Sequence, residues 1–328
     1  MRWICAFGAL LGLPAAAAAP LPEQPYRMEP GGRMLTDVMI DGHGPFSFII
    51  DTASSRSLIF EHVRRQLGLA RSQAGRLVVY GISDVAEAMP VKPGELRVAG
   101  ETVRGLTLGV LPDAPEAPDG ILGVDILSRY LVVLDRSAMR LRLLPPGTVP
   151  KPYAGWTKVE LTPHGLKNLP IQFWYLKTRF NDRNLTALFD SGAGTTLINW
   201  DAAERLGVRQ RHFTSYGPPP AVLQDELGAH APAIRVDGLR VAVPGKSWDR
   251  QFAIIADAPA FHYFDLEERP AAIIGPSLLK DNSLAIDFAG HSLYVGPSLN
   301  ASSSSDRVLC TPWRSISAGA ACAGPSLN

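Results

Sequence analysis

The sequence predicts an all-β protein of two tandem lobes with a cleft between them, and three observations carry that expectation. First, an apolar strand runs straight into an aspartate followed by a hydroxyl residue and small residues, twice. The two stretches are Phe48-Ile49-Ile50-Asp51-Thr52-Ala53-Ser54 and Ala187-Leu188-Phe189-Asp190-Ser191-Gly192-Ala193. Second, Leu58-Ile59 and Leu67-Gly68 return as Leu197-Ile198 and Leu206-Gly207, each 139 positions later, as the aspartates do. Third, Ile121-Leu122-Gly123, Asp135, Leu141 and Pro145 return as Ile273-Ile274-Gly275, Asp287, Leu293 and Pro297 at an offset of 152. The offset grows by 13 residues between the blocks, which predicts an insertion in a surface loop of the second half, where added length costs little closure entropy.

The chain opens on Met1-Arg2, an apolar run from Trp3 to Leu13, Pro14 and an alanine tract. This reads as a signal peptide over residues 1–19, cleaved near Ala18 or Ala19, and predicts a periplasmic or secreted protein. The run is shorter than the ~20 residues that span a bilayer, so no stable membrane insertion is expected. Val38 to Ile40 and Phe46 to Ile50 read as a hairpin about Asp41-Gly42-His43-Gly44. Leu176 to Phe180 and Leu185 to Phe189 repeat it about Asn181-Asp182-Arg183-Asn184. Phe60, Val63 and Leu67 have helical spacing before Gly68, and Asn199 is the expected N-cap of a matching helix that carries Ala203 and Leu206. The runs Leu77 to Tyr80, Glu95 to Val98, Leu106 to Val110, Leu131 to Leu134 and Leu141 to Leu144 complete the strands of the first lobe.

The stretch Pro145 to Pro152 reads as the linker, dividing an N-terminal lobe, residues 20–149, from a C-terminal lobe, residues 150–299. A serine-rich tail, residues 300–328, carries Cys310 and Cys322. Cys5 would leave with the signal, so these two are expected to form one disulfide, which in the loop-entropy account stabilises the tail by about 3 kcal/mol. At 328 residues the chain can fill two cores, and its formal net charge of +1 argues against a nucleic-acid or anionic-membrane partner. No zinc-binding His-Glu-x-x-His, no Gly-x-Ser-x-Gly and no phosphate-cradling glycine loop occurs, so neither metal nor cofactor is expected. His62 and His291 read as solvated or packed, and Asp135 and Asp287 as turn residues, because no hydroxyl-small sequence follows either aspartate.

On these motifs each half resembles a retropepsin-like aspartic protease unit of the pepsin and retropepsin superfamily, of the kind found in exported bacterial proteins, over roughly residues 33–298. The resemblance implies two β-barrel lobes and an aspartic endopeptidase, active as a monomer on extended polypeptide. Asp51 and Asp190 would be the catalytic pair. Two carboxylates about 3 Å apart cannot both ionise, so one shared proton supplies both a base for water and an acid for the leaving group. The resemblance further implies that Thr52 and Ser191 bond across to the opposite loop, with Ala53, Ser54, Gly192 and Ala193 as loop support. The third loop position is normally glycine, and Ala53 departs from that pattern. Tyr80-Gly81 and Tyr216-Gly217 fall where the family places flaps over the cleft. Two alternatives stay open: a non-catalytic aspartic-protease-like peptide-binding or scaffold protein, with Ala53 as its sign, and pairing of each lobe with its equivalent in a second chain.

Overall fold

The computed structural model describes residues 22–29, 32–72, 75–80, 85–114, 117–147, 153, 155–166, 172–209, 221–224, 230–279, 281–298 and 316–317. These residues form 24 strands and five short helices, so the protein is mostly β. The proposed signal peptide, Gly81, Tyr216, Gly217, Cys310 and Cys322 lie outside the described residues. No described helix is long and apolar enough to cross a membrane.

The alternating pattern of Met34–Ile40 sends Met34, Val38 and Ile40 into the core, and a tight turn at Asp41-Gly42 returns the chain as strand His43–Ile50. Asp41 and Gly42 both take positive φ, and so do Asn181 and Asp182 in the corresponding hairpin Gln172–Phe180 and Arg183–Phe189. Each turn is two residues shorter than the polar stretch suggests, because His43 and Arg183 already pair with the facing strand.

Behind each hairpin the chain repeats one pattern of pairing. Phe48–Ile50 run parallel to Gly120–Leu122, and Leu58 and Ile59 pair antiparallel to the same strand. In the second half Thr186–Phe189 run parallel to Ala271–Ile274, and Leu197 and Ile198 pair antiparallel to it. Each aspartate therefore stands at the end of a strand locked on one side by a second buried strand. A short helix follows in each half, Glu61–Gln66 and Trp200–Arg205. The Asn199 side chain caps the latter by accepting from Ala202 N at 3.0 Å.

Most strands of the second half form a nine-stranded sheet of their own, but the halves also share a sheet. Strand Leu131–Asp135 pairs with Arg140–Leu144 on one side and with Asn282–Asp287 on the other, Leu131 facing Asp287 and Leu134 facing Leu284. The ladder extends outward through Gln24–Met28 at one end and through Ser292–Ser298 and Thr157–Glu160 at the other. Leu131, Val132, Val133, Ala285 and Ile286 are all at most 1% exposed, so this shared sheet is covered on both faces. Tyr153, just after the expected linker, packs edge-on to Trp156 at 4.8 Å and joins the same cluster.

The second half is longer, and not by loop alone. Its strands His230–Val243 and Lys246–Ala256 form one long hairpin, and a helix, Pro259–Tyr263, follows before Ala271–Ile274. Ala260 and Phe261 of that helix are buried, so part of the added length extends the core rather than the surface.

Candidate active site

The strand His43–Ile50 delivers Asp51, and Arg183–Phe189 delivers Asp190. Each aspartate's own N–H is taken by the neighbouring buried strand, Asp51 N donating to Leu122 O and Asp190 N to Ile274 O, both at 3.0 Å. Each carboxylate is then oriented by its own loop. Asp51 Oδ1 accepts from Ala53 N at 2.8 Å and Ser54 N at 2.9 Å. Asp190 Oδ1 accepts from Gly192 N at 2.8 Å and Ala193 N at 3.0 Å. Asp190 is 6% exposed and Asp51 is half-buried.

The two loops are tied to each other by four buried hydrogen bonds with two-fold symmetry. Thr52 N donates to Ser191 Oγ and Ser191 N to Thr52 Oγ1, each at 3.0 Å. Thr52 Oγ1 in turn donates to Phe189 O at 2.9 Å, and Ser191 Oγ to Ile50 O at 2.7 Å. Every polar atom in this knot has its partner in the other half of the sequence. Losing one hydroxyl would strand a buried N–H and a buried carbonyl, at roughly 1–3 kcal/mol each.

Gly192 shows how close the loops come. A methyl built on Gly192 would lie 2.5 Å from both Cγ and Oδ2 of Asp51, so the Asp51 carboxylate rests against the backbone two residues beyond Asp190. Ala53, which stands where the first loop would have its glycine, is half-buried, and it packs against the apolar cluster that contains Ala193, Leu197 and Ile273. Its methyl group is taken up by packing in the second half.

Sequence reasoning missed the supports underneath. Ser57 Oγ accepts from Gly123 N at 3.0 Å, and Thr196 Oγ1 accepts from Gly275 N at 3.3 Å. These hydroxyls also stand 139 positions apart, and that spacing could have found them. Both glycines are required, because a Cβ at Gly123 would meet Ser54 O at 2.8 Å and one at Gly275 would meet Ala193 O at 2.8 Å. Ser57 is held further by Asp125 Oδ1, which accepts from Ser57 N at 2.9 Å and from Ser57 Oγ at 2.7 Å. Burial pushes the Asp125 carboxyl above the usual carboxylate range, opposed by those bonds.

Of the expected flap residues, Tyr80 ends strand Leu77–Tyr80 opposite Val85 of the antiparallel strand Val85–Val91. Asp135 accepts from Ser137 and Ala138, and Asp287 from Gly290, each within its own hairpin turn. His62 is more engaged than its sequence suggests, with Nδ1 2.8 Å from Asp113 Oδ1 and Nε2 2.9 Å from Asp119 Oδ1. No group of His, Cys, Asp and Glu suited to a metal ion occurs among the described residues.

Residues 36–126 match the family model described as aspartyl protease. The matched segment holds Asp51, its loop, Ser57 and the strand that ends at Gly123. It supports a hydrolase of the peptidase kind. Asp190 and its loop lie beyond the match. No curated protein matches the chain.

Proposed function

We propose that the chain is an exported aspartic endopeptidase of two tandem retropepsin-like lobes, residues 20–149 and 150–299, working as a monomer with Asp51 and Asp190 as its catalytic pair. The observation that carries this reading is the reciprocal bonding of Thr52 and Ser191, which joins the two aspartate loops with each carboxylate oriented by its own backbone amides. Two acids held on facing loops share a proton. One carboxylate takes a proton from water as that water attacks the scissile carbonyl, and the other gives its proton to the developing amine. The loop hydroxyls position the acids and take no part in proton transfer. The substrate is an extended polypeptide lying as a strand across the loops, covered by the hairpin that includes Tyr80.

Asp51→Asn and Asp190→Asn should each lower cleavage of an unfolded protein substrate by several orders of magnitude, with the denaturation midpoint recorded alongside. Undiminished cleavage by either folded variant would overturn the assignment. A scaffold or peptide-binding role would instead leave the wild type without cleavage while peptides still bind.

A further inference from the structure

Beyond Ser54 the Asp51 loop runs through Ser55 and Arg56 before Ser57 fastens it to Asp125 and Gly123. Ser55, Arg56 and Asp125 line one side of a cavity of about 740 Å³, and residues of the second half, Gln172, Trp174 and His291 among them, line the other. The cavity thus continues from the aspartate loop into the junction of the two halves. On the second-half side, the ring of Trp174 meets the buried Phe288 ring edge-on at 4.7 Å.

Arg56 and Asp125 are the cation and the anion that line this cavity. Arg56 is half-buried, and among the described residues no carboxylate oxygen lies within the 4.0 Å of an ion pair with its guanidinium. Asp125 accepts twice from Ser57 through Oδ1, and Arg56 and Arg129 both act on its charge. Asp287, next to the wall residue Phe288, turns its carboxylate into its own hairpin onto Gly290 N at 2.9 Å. In the second half the positions matching Arg56 and Asp125 are Thr195 and Ser277, so the feature belongs to one side of the site only.

We propose that this cavity anchors a carboxylate of the bound polypeptide on the Arg56 guanidinium, which makes Arg56 a specificity-determining residue. The proposal rests on the peptidase reading given above. A planar guanidinium matches a carboxylate with two parallel N–H donors, and Trp174 and Phe288 cover the carbon stem that carries it. Arg56 follows Asp51 by five residues in one rigid loop, so the distance from scissile bond to anchor is constant. An extended substrate advances about 3.3 Å per residue, and the preference therefore falls on one position of the peptide. The carboxylate comes from an Asp or Glu side chain or from the peptide's own C-terminus.

The test uses the mature protein and peptides with a common apolar core. One series is amidated and carries Glu at successive positions, a second carries Gln at the same positions, and a third has neutral side chains with a free C-terminus. Wild type should cleave one member with a carboxylate about tenfold better in kcat/KM than its neutral partner, the lower end for a half-exposed charge-assisted bond. Whether that member comes from the first or the third series identifies the source. Arg56→Gln should remove the ratio, Arg56→Glu should turn it toward a Lys-bearing peptide, and added salt should shrink it. Equal cleavage of acidic and neutral peptides, or a ratio that survives both substitutions, overturns the anchor and leaves the peptidase reading standing. Peptide binding to Asp51→Asn, read by fluorescence anisotropy, separates the opposite case. Acid-selective binding that depends on Arg56 in a protein whose wild type cleaves nothing would keep the anchor and end the peptidase reading.

Discussion

Single side chains do opposite work in the two aspartate loops. Gly192 must lack a side chain because the Asp51 carboxylate occupies the space where one would go. Ala53 keeps its methyl because an apolar cluster of the second half receives it. The methyl by which Ala53 differs from Gly192 is therefore accommodated by packing. Gly192→Ala is the sharper probe. Its new methyl must displace the Asp51 carboxylate or its own loop, and a misplacement of about 1 Å costs about a hundredfold in rate. We expect kcat/KM to fall by at least that factor while the urea midpoint moves little, and full activity in the folded variant would show that Asp51 need not sit where it does. Asp51, Asp190, Thr52, Ser191 and the irregular Ala53 were all legible in the sequence, because a strand followed by acid, hydroxyl and small residues is a local pattern. Asp125 and Arg56 were not, because their meaning depends on what faces them across the fold.

Among the elements, the helix Glu61–Gln66 is fastened to the segment before strand Gly120–Leu122 by His62 and by Arg65, which bonds Asp113 at 2.8 Å. His62 lies between Asp113 and Asp119, and Asp119 also accepts from Ser47 N at 2.7 Å. Burial lowers the affinity of this imidazole for its proton, but the bonds to Asp119 and Asp113 outweigh burial and raise it overall. A group whose pKa rises on folding stabilises the folded state in full below its unfolded value, about 6.5 for histidine, and loses that contribution as pH climbs through the folded value. The side chain is 40% exposed, so solvent screening holds the effect to roughly 1 kcal/mol or less. Denaturant titrations of wild type and His62→Ala should therefore differ most near pH 6 and converge toward pH 9. A gap that widens with pH would refute the clamp. The sequence reading of His62 as solvated or packed could not name its partners, because Asp113 and Asp119 are 51 and 57 residues away.

At the scale of the whole molecule, strand Leu131–Asp135 and strand Asn282–Asp287 join strands of the two halves in one shared sheet, and the loops meet through four buried bonds. Neither half keeps its buried surface or its bonds without the other, so unfolding should be a single event. The described tryptophans Trp156, Trp174, Trp200 and Trp248 all lie in the second half, whereas circular dichroism reports on strands of both. Coincident urea transitions by tryptophan fluorescence and by circular dichroism are expected, and a first-half transition seen by circular dichroism alone would contradict the shared sheet. The sequence by itself determined the β class, the recurrence of parts and the two acidic loops, since periodicity, turn chemistry and motif spacing are properties of neighbouring residues. Tertiary structure alone decided that the hydroxyls cross between loops, that the second half's added length includes a buried helix, and that Arg56 faces a cavity. Those outcomes depend on contacts between residues far apart in the chain, which local pattern does not encode.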